Sequence, residues 1–273
     1  MEPRLSAGSF YGNQQKSQSV GGLLLSEHAY PPDLRIPSHS HERAYFCLVL
    51  RGDYTETYGK STRDCRAASL IFHPEAETHS DRFSAAGGRL FCVELTPVWL
   101  ERIRACSPIL DDAVDMQGGT PSWLAFRFYH EFRNMDSVSP LAMEGLALEI
   151  LAEASRRTLP FAHRQPSRPL RQAQELLHAQ FAEPLTLMQI AEAVGVHPMH
   201  LARLFRQHCR CTLGEYVRQL RVDYACRELV SSDASLVEIA LAAGFSDQSQ
   251  FCRTFKRHTS LTPLQFRQTA LAR

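Results

Sequence analysis

The stretch TLMQIAEAVG at residues 186–195 returns as SLVEIALAAG at residues 235–244. The two copies match at an offset of 49 residues up to the glycine and at an offset of 50 residues beyond it. Beyond the glycine the matching positions are apolar or basic, pairing Leu201 with Phe251, Arg203 with Arg253, Phe205 with Phe255 and Arg206 with Lys256. This self-match indicates an internal repeat, and a repeat decides how the rest of the chain is interpreted.

Each copy has the pattern of two short helices joined by a tight turn. The apolar residues of the first copy follow the helical spacing i, i+3, i+4, i+7 at Leu187, Ile190, Ala191 and Val194. Thr186 and Ser235 stand where a hydroxyl group can cap the first helix. Gly195 and Gly244 follow its last apolar position, where glycine adopts a left-handed backbone at little cost.

A second helix is predicted to start near Pro198 in the first copy and near Asp247 in the second. Its predicted buried positions are Leu201, Leu204 and Phe205 in the first copy and Phe251, Thr254 and Phe255 in the second. A short helix, a glycine turn and an amphipathic helix make up the helix-turn-helix motif, whose second helix enters the major groove of DNA.

The polar face of this second helix favours DNA binding over plain helix packing. The predicted outward residues are Met199, His200, Arg203 and Arg206 in the first copy and Gln248, Ser249, Cys252, Arg253 and Lys256 in the second. Arginine bonds guanine and glutamine bonds adenine in a bidentate manner. Arg206 and Lys256, one turn further on, suit contacts to phosphates. The alternative is two solvated helix faces, and the matching basic positions of the two copies argue against it.

Residues 168–270 resemble the DNA-binding domain of the AraC/XylS family of bacterial transcription regulators, most closely over 239–257 and 261–267. The resemblance implies seven helices, a long one at roughly Leu213 to Val230 between the two helix-turn-helix units, and recognition helices in successive major grooves. It assigns base contacts to Met199, Ala202, Arg203, Gln248, Ser249, Cys252 and Arg253. His197 replaces the usual capping serine, so we expect the first recognition helix to be less firmly held.

The chain has 273 residues, enough for about two domains. Residues 168–273 hold 13 Lys and Arg against 9 Asp and Glu, whereas residues 1–167 hold 17 against 20. The excess of positive charge therefore lies with the repeat, as attraction to DNA requires. With no apolar stretch long enough for a membrane span or signal peptide, we expect a cytoplasmic protein. Its eight cysteines lack CxxC spacing, which favours mostly buried thiols over disulfides or metal ligands.

Residues 10–100 have the pattern of short strands. The apolar run 46–50 ends at Arg51-Gly52-Asp53, which is typical of a turn, and 54–59 then alternates. Two further strands are predicted at 69–72 and 90–95. Many short strands with turns between them suggest a sandwich or a barrel.

The segments PSHSHE at 37–42 and PEAETH at 74–79 resemble the two motifs of a cupin barrel, in the sensor form found upstream of the same DNA-binding domain. The resemblance implies an effector pocket of His39, His41, Tyr45 and His79. The glutamate that metal-binding cupins place after the second histidine is missing, because Tyr45 and Phe46 stand there. The histidines could hold a metal, hydrogen-bond an organic ligand or serve structure alone. We assign no metal, no cofactor and no catalytic residue, since no acid–base pair is visible.

Residues 96–158 are predicted to return to helix, at 97–100, around 123–131 and at 141–157. These helices either cover the barrel or pair two subunits, and an aliphatic stripe on 142–154 favours dimerisation. The segment 158–169 carries three prolines and reads as an interdomain linker.

The sequence thus predicts an α+β multidomain protein, with an N-terminal cupin-like β-barrel and flanking helices before an all-α domain of two helix-turn-helix units joined by a long helix. The expected boundaries are 1–95 for the sensor barrel, 96–158 for the helical dimerisation region, 159–168 for the linker and 169–273 for the DNA-binding domain. The predicted function is sequence-specific transcription regulation. Expected partners are double-stranded promoter DNA, a small-molecule effector, RNA polymerase for an activator, and a second copy of the chain. One alternative is a metal-dependent cupin enzyme with an accessory helical domain; another is a barrel that only dimerises.

Overall fold

The computed structural model describes residues 2–104, 113–158 and 166–271. The chain is strand-rich in its N-terminal region and helical in its C-terminal region. It divides into two compact units, the first formed by 1–158 with 264–273 and the second by 159–263. Most of the predicted linker lies outside the described residues. None of the described helices is long and apolar enough to cross a membrane.

Nine strands lie within the described part of the first unit, in one connected sheet. They are β1 Arg4–Leu5, β2 Asn13–Val20, β3 Leu23–Tyr30, β4 Arg35–His41, β5 Tyr45–Tyr58, β6 Ser61–Arg66, β7 Ser69–His73, β8 His79–Leu95 and β9 Val114–Gln117. The long strands β5 and β8 pair antiparallel along their whole length. β3 and β4 pair with the two halves of β8, and β7 and β6 pair with the two halves of β5. This register sets His39 opposite His79 and Tyr45 opposite His73.

The predicted turn at Arg51-Gly52-Asp53 is wrong, because β5 runs through it as one strand. The pairing with β8 shifts register on both sides of Gly52, which marks a bulge rather than a chain reversal. Gly52 has a φ of 76°, and a Cβ atom there would lie 2.0 Å from the carbonyl oxygen of Gly87. Gly52 is therefore needed for a close approach between two strands. In the sequence, a glycine that serves such a bulge looks the same as one that serves a turn.

The apolar run 46–50 is buried on both faces of β5. Cys47 and Val49 point into a core cluster inside the sheet, whereas Phe46 and Leu48 line an apolar cavity that Phe128 and Ile150 close from the helical side. Burial on both faces explains why the run shows no alternation of apolar and polar residues.

Three helices accompany the sheet, α1 Pro97–Arg104, α2 Gly119–Arg133 and α3 Ser139–Thr158. Aromatic rings of α2 pack on Phe91 of β8 at centroid distances of 5.0–5.9 Å. The stripe that we expected to pair subunits is already buried within the chain, through Met143, Leu146, Ala147, Ile150, Leu151 and Ala154. That expectation is wrong for this stripe, since apolar residues at helical spacing serve an internal core equally well.

A buried carboxylate ties α2 to the sheet. Glu27 on β3 has no exposed surface and lies between Arg89 of β8 and Arg133 of α2, whose Nη1 donates to its Oε2 at 3.1 Å. The Tyr129 hydroxyl donates to the same oxygen at 2.8 Å. Two guanidinium groups and a hydroxyl thus compensate one buried charge.

The helices of the second unit are α4 Arg168–Gln180, α5 Leu187–Ala193, α6 Pro198–Leu204, α7 Leu213–Ser231, α8 Leu236–Ala242 and α9 Gln248–Thr259. Helix α7 matches the predicted long helix. The last helix, α10 Pro263–Leu271, falls mainly in the first unit. This differs from the expected domain 169–273, because the tilted rings of Phe266 and Phe126 pack with their centroids 4.1 Å apart and Thr269 Oγ1 lies 2.7 Å from His130 Nδ1.

Candidate nucleic-acid interface and ligand pocket

Both predicted helix starts carry a full capping box. The Thr186 hydroxyl accepts from the backbone N–H of Gln189, and the Gln189 side chain accepts from the backbone N–H of Thr186. Ser235 and Glu238 make the same reciprocal pair at the start of α8. Each box satisfies two backbone donors that a helix start leaves unpaired, so α5 and α8 begin at fixed residues.

The two turn glycines share a conformation but not an environment. Gly195 has a φ of 69° and Gly244 a φ of 81°, as the repeat predicted. A Cβ atom at Gly195 would meet nothing within 4 Å, whereas one at Gly244 would lie 2.3 Å from the carbonyl oxygen of Ala182. The second turn is therefore packed against the backbone that follows α4.

The buried faces of α6 and α9 follow the prediction at all but one position. Leu201 and Phe205 in the first copy and Phe251 and Phe255 in the second are fully buried. Thr254 is only half-buried and belongs to the edge of the face, a correction to the predicted stripe. A threonine in that register packs less surface than an apolar residue, and the position tolerates solvent.

The predicted DNA-contacting residues lie on α6, on the turn that follows it and on α9. Of these nine residues, Ala202 and Cys252 are half-buried and the other seven are exposed. The exposed ones are Met199, Arg203, Arg206, Gln248, Ser249, Arg253 and Lys256. Met199 has 70% of its surface exposed. The Arg203 guanidinium lies 3.2 Å from Nδ1 of His200, which holds it along the helix. Each copy thus presents a polar, basic face opposite its apolar one.

The first recognition helix departs from the second at both ends. His197 is its cap, with Nδ1 accepting from the backbone N–H of Met199 at 3.3 Å. Its C-terminal end widens into a π-helical turn, Phe205–Cys209, so that Arg206 leaves the regular α-helical register. Asp247 caps α9, where the carboxylate accepts from the N–H of Gln250 at 2.7 Å, and its helix stays regular to Thr259.

Arg221 of α7 joins the segment between α4 and α5 to the turn of the second helix-turn-helix motif, and it was not singled out from the sequence. Its guanidinium donates to the carbonyl oxygens of Phe181 at 2.9 Å and Glu183 at 3.2 Å, after α4, and to that of Gly244 in the second turn. Carbonyl oxygens outside regular structure need donors, and one planar guanidinium supplies them on both sides. No local sequence pattern marks an arginine for this use.

In the first unit, the four residues predicted to form the effector pocket do come together. The rings of His39 and His79 are 4.3 Å apart, and those of His41 and His79 are 5.5 Å apart. The Tyr45 hydroxyl lies 3.4 Å from Nε2 of His79. Together with aromatic and aliphatic neighbours they line a cavity of about 20 Å³.

The imidazoles of this pocket are held neutral. Burial lowers the pKa of His41 to about 2, with further lowering by His79 and His39. Burial and His39 lower the pKa of His79 to about 4, and burial also lowers that of His39. Nδ1 of His39 faces the carbonyl oxygen of Pro37 at 2.9 Å. A carbonyl oxygen only accepts, so Nδ1 carries the proton and Nε2 keeps a lone pair.

A second group of polar residues borders the pocket, and the comparison with the cupin motifs missed it. Glu56 of β5 accepts from Nε of Arg63 on β6 at 2.7 Å. His73, at the end of β7, places Nδ1 3.1 Å from Oε2 of Glu77 and 3.4 Å from Oε1 of Glu56. Glu56, Arg63 and His73 are all buried. The alternation of β5 could have indicated that Glu56 points inward with Tyr54. Only the pairing of the strands, however, brings Glu56, Arg63, His73 and Glu77 together.

Most of the cysteines lie inside the fold, as expected. Of the seven that the structure describes, Cys47, Cys65, Cys92 and Cys226 are buried and the others are half-buried, all as free thiols. Burial raises the pKa of Cys209, in the Cys209-x-Cys211 pair, to about 11. A protonated thiol is a poor nucleophile and a poor metal ligand.

Comparison with known proteins places the similarity in the helical region. A family model described as a helix-turn-helix domain matches residues 190–269. The probable transcription factor PqrA of Proteus vulgaris is 43% identical over 86 residues, which cover 32% of this chain and 70% of PqrA. The bifunctional transcriptional activator/DNA repair enzyme AdaA of Bacillus subtilis is 34% identical over 94 residues, which cover 34% of this chain and 44% of AdaA.

Among solved structures, a transcriptional regulator from Chromobacterium violaceum with an AraC-type DNA-binding domain is 36% identical, with a TM-score of 0.37. The match covers 38% of this chain and 95% of that one. All three relatives are described as transcription factors, activators or regulators. The repair activity named for AdaA is a property of AdaA.

Proposed function

This chain belongs to the AraC/XylS family of DNA-binding transcription regulators, and from that premise we propose that it reads promoter DNA through the exposed faces of α6 and α9. Base edges are contacted by Met199, Ala202, Arg203, Gln248, Ser249, Cys252 and Arg253. Phosphates are contacted by Arg206 and Lys256. The two helices enter successive major grooves of one promoter.

The observation that carries this proposal is the pairing of two equivalent helices with matched exposed arginines. Arg203 and Arg253 occupy the same repeat position, and each stands opposite a fully buried aromatic or aliphatic face. Arg221 bonds to backbone on both sides and supports a fixed spacing between the two motifs. A fixed spacing is what two half-sites on one face of DNA require.

In the same proposal, the N-terminal sheet is a cupin-like barrel that binds a small effector at His39, His41, Tyr45 and His79. The effector acts by binding one arrangement of the protein more tightly than another. The regulator works as a cytoplasmic homodimer, and RNA polymerase is a further partner if it activates transcription. The cluster of neutral imidazoles beside a tyrosine hydroxyl supports a polar ligand, since these groups donate and accept hydrogen bonds.

Base and phosphate roles predict different responses to mutation. Arg203→Ala or Arg253→Ala should weaken binding at the cognate promoter by about 1–3 kcal/mol and relax base preference there. Lys256→Ala should weaken binding to all sequences alike and flatten the salt dependence. The measurement is a binding titration on cognate and scrambled duplexes at several salt concentrations. Identical behaviour of the arginine and lysine variants would refute the assigned roles.

A further inference from the structure

A second group of donors stands beside the pocket residues, on strands β5, β7 and β8 and the turn between the last two. Glu56, His73, Glu77 and His79 each offer one ligand atom, and these four atoms all lie within 4.8 Å of one another. Three of the four residues are buried, and the Glu77 side chain is only 13% exposed. Buried carboxylates are usually paired with a cation or bound to a metal ion, and in this group Arg63 forms an ion pair with Glu56.

The hydrogen bonds of this group leave one carboxylate oxygen unsatisfied. Oε2 of Glu56 accepts from Arg63 at 2.7 Å, whereas Oε1, in a residue with no exposed surface, has no hydrogen-bond partner. Oε1 lies 3.4 Å from Nδ1 of His73, which also faces Oε2 of Glu77 at 3.1 Å. One ring nitrogen carries at most one proton, so it cannot donate well to both carboxylates. A buried acceptor without a donor costs about 1–3 kcal/mol.

A cation held between the carboxylates and the imidazoles satisfies Oε1 of Glu56 together with the lone pairs of both histidines.

We propose that Glu56, His73, Glu77 and His79 bind a divalent transition-metal ion. Two imidazole nitrogens and two carboxylate oxygens suit four-coordinate Zn²⁺, with ligand distances of about 2.0–2.2 Å. Imidazole ligands disfavour Mg²⁺ and Ca²⁺, which take oxygen donors. Nδ1 of His79 faces the carbonyl oxygen of Glu77 at 3.3 Å, an outer-shell bond that leaves Nε2 with the lone pair. This ion site shares only His79 with the effector pocket of the proposed function, so it is a separate site, and its binding is measured without DNA.

A three-histidine group shares His79 with this site and is the natural competitor. His39, His41 and His79 also place their ligand atoms within 4.8 Å of one another. That group is made of imidazoles alone and has no carboxylate to balance a dication. The carboxylate group supplies two carboxylates, one of them with the unsatisfied Oε1 of Glu56, so it is the stronger site for a cation.

The test is isothermal titration of Zn²⁺ into the chelator-treated full chain, beside Glu77→Gln, His73→Gln and His41→Gln. The proposal predicts stoichiometric binding to the unaltered protein, a loss of at least about tenfold in affinity for Glu77→Gln and His73→Gln, and little change for His41→Gln. Circular dichroism of each variant checks the fold, and Glu77→Gln is the safest substitution because it keeps the side-chain shape in the turn between β7 and β8.

Absence of Zn²⁺ binding by the unaltered protein would overturn the proposal. So would loss of binding in His41→Gln with retention in Glu77→Gln, since that places the ion on the three histidines. Promoter binding measured on the same samples separates the two proposals. Sequence-specific DNA binding without Zn²⁺ binding would remove the metal site alone, and Zn²⁺ binding without DNA recognition would remove the proposed function alone.

Discussion

The two turn glycines of the repeat permit a matched experiment on how the second motif is held. Gly195→Ala and Gly244→Ala introduce the same methyl group into the same left-handed conformation, at φ values of 69° and 81°. Only the second methyl group meets other atoms, at 2.3 Å from the carbonyl oxygen, 2.7 Å from Cα and 2.8 Å from the carbonyl carbon of Ala182. These are backbone atoms, which cannot rotate away as a side chain would.

The expected magnitudes follow from this difference. Both variants lose about 1–2 kcal/mol of unfolding free energy, because a residue with a Cβ atom is strained in the left-handed region. Gly244→Ala loses a further ~1–3 kcal/mol, typical of an overpacked site. The contact therefore accounts for a roughly fivefold to 150-fold difference in the local opening equilibrium.

Native-state amide hydrogen exchange measures this opening helix by helix. The account predicts faster exchange in α8 and α9 for Gly244→Ala, and a smaller increase in α5 and α6 for Gly195→Ala. Gly244→Ala should also weaken promoter binding, because the second recognition helix loses its support on the segment after α4. Equal effects of the two substitutions on exchange would refute the close approach at Ala182.

The charged residues Arg221 and Glu27 permit similar tests. Arg221→Lys keeps the charge of α7 but not the planar guanidinium that reaches carbonyl oxygens on both sides. The substitution should lower the free energy of unfolding by about 1.5–3 kcal/mol. Thermal unfolding followed by circular dichroism measures this loss, and an unchanged midpoint would contradict the role of Arg221. Glu27→Gln leaves the guanidinium groups of Arg89 and Arg133 without their buried partner and should destabilise the first unit by about 3–5 kcal/mol. Denaturation followed by tryptophan fluorescence reports on that unit, which holds Trp99 and Trp123, and a midpoint equal to that of the unaltered protein would contradict the prediction.

The helical repeat was readable from the sequence because its determinants are local. Thr186 and Ser235 cap their helices by bonding to residues only three positions further along the chain. The apolar spacing of each helix likewise lies within about two turns. Capping, turn formation and periodicity all act over such distances. For that reason the starts of α5 through α9 agree closely with the prediction.

The sheet was less predictable because its determinants are distant in sequence. Gly52 looked like a turn residue, and only the approach of Gly87 from another strand shows that it serves a bulge. Glu56 and His73 are 17 positions apart on strands whose register decides that they meet. Phe266 likewise pairs with a ring 140 positions earlier. Long-range packing of this kind leaves no periodic signal in a single sequence.

The pocket depends on both local and long-range determinants. The resemblance to the cupin motifs predicted that His39, His41 and His79 come together, and the three side chains do meet. The carboxylates beside them were missed because a resemblance points only to the positions of its own motif. The proposed ion site around Glu56 therefore follows from the fold and not from the motif.

Genome-wide capture of the DNA bound by the protein, with the sites aligned, shows whether α6 and α9 read a specific DNA sequence. We expect a shared motif beside promoters, made of two half-sites about one helical turn, roughly 10 bp, apart. Diffuse binding without a motif, governed by salt concentration alone, would contradict it.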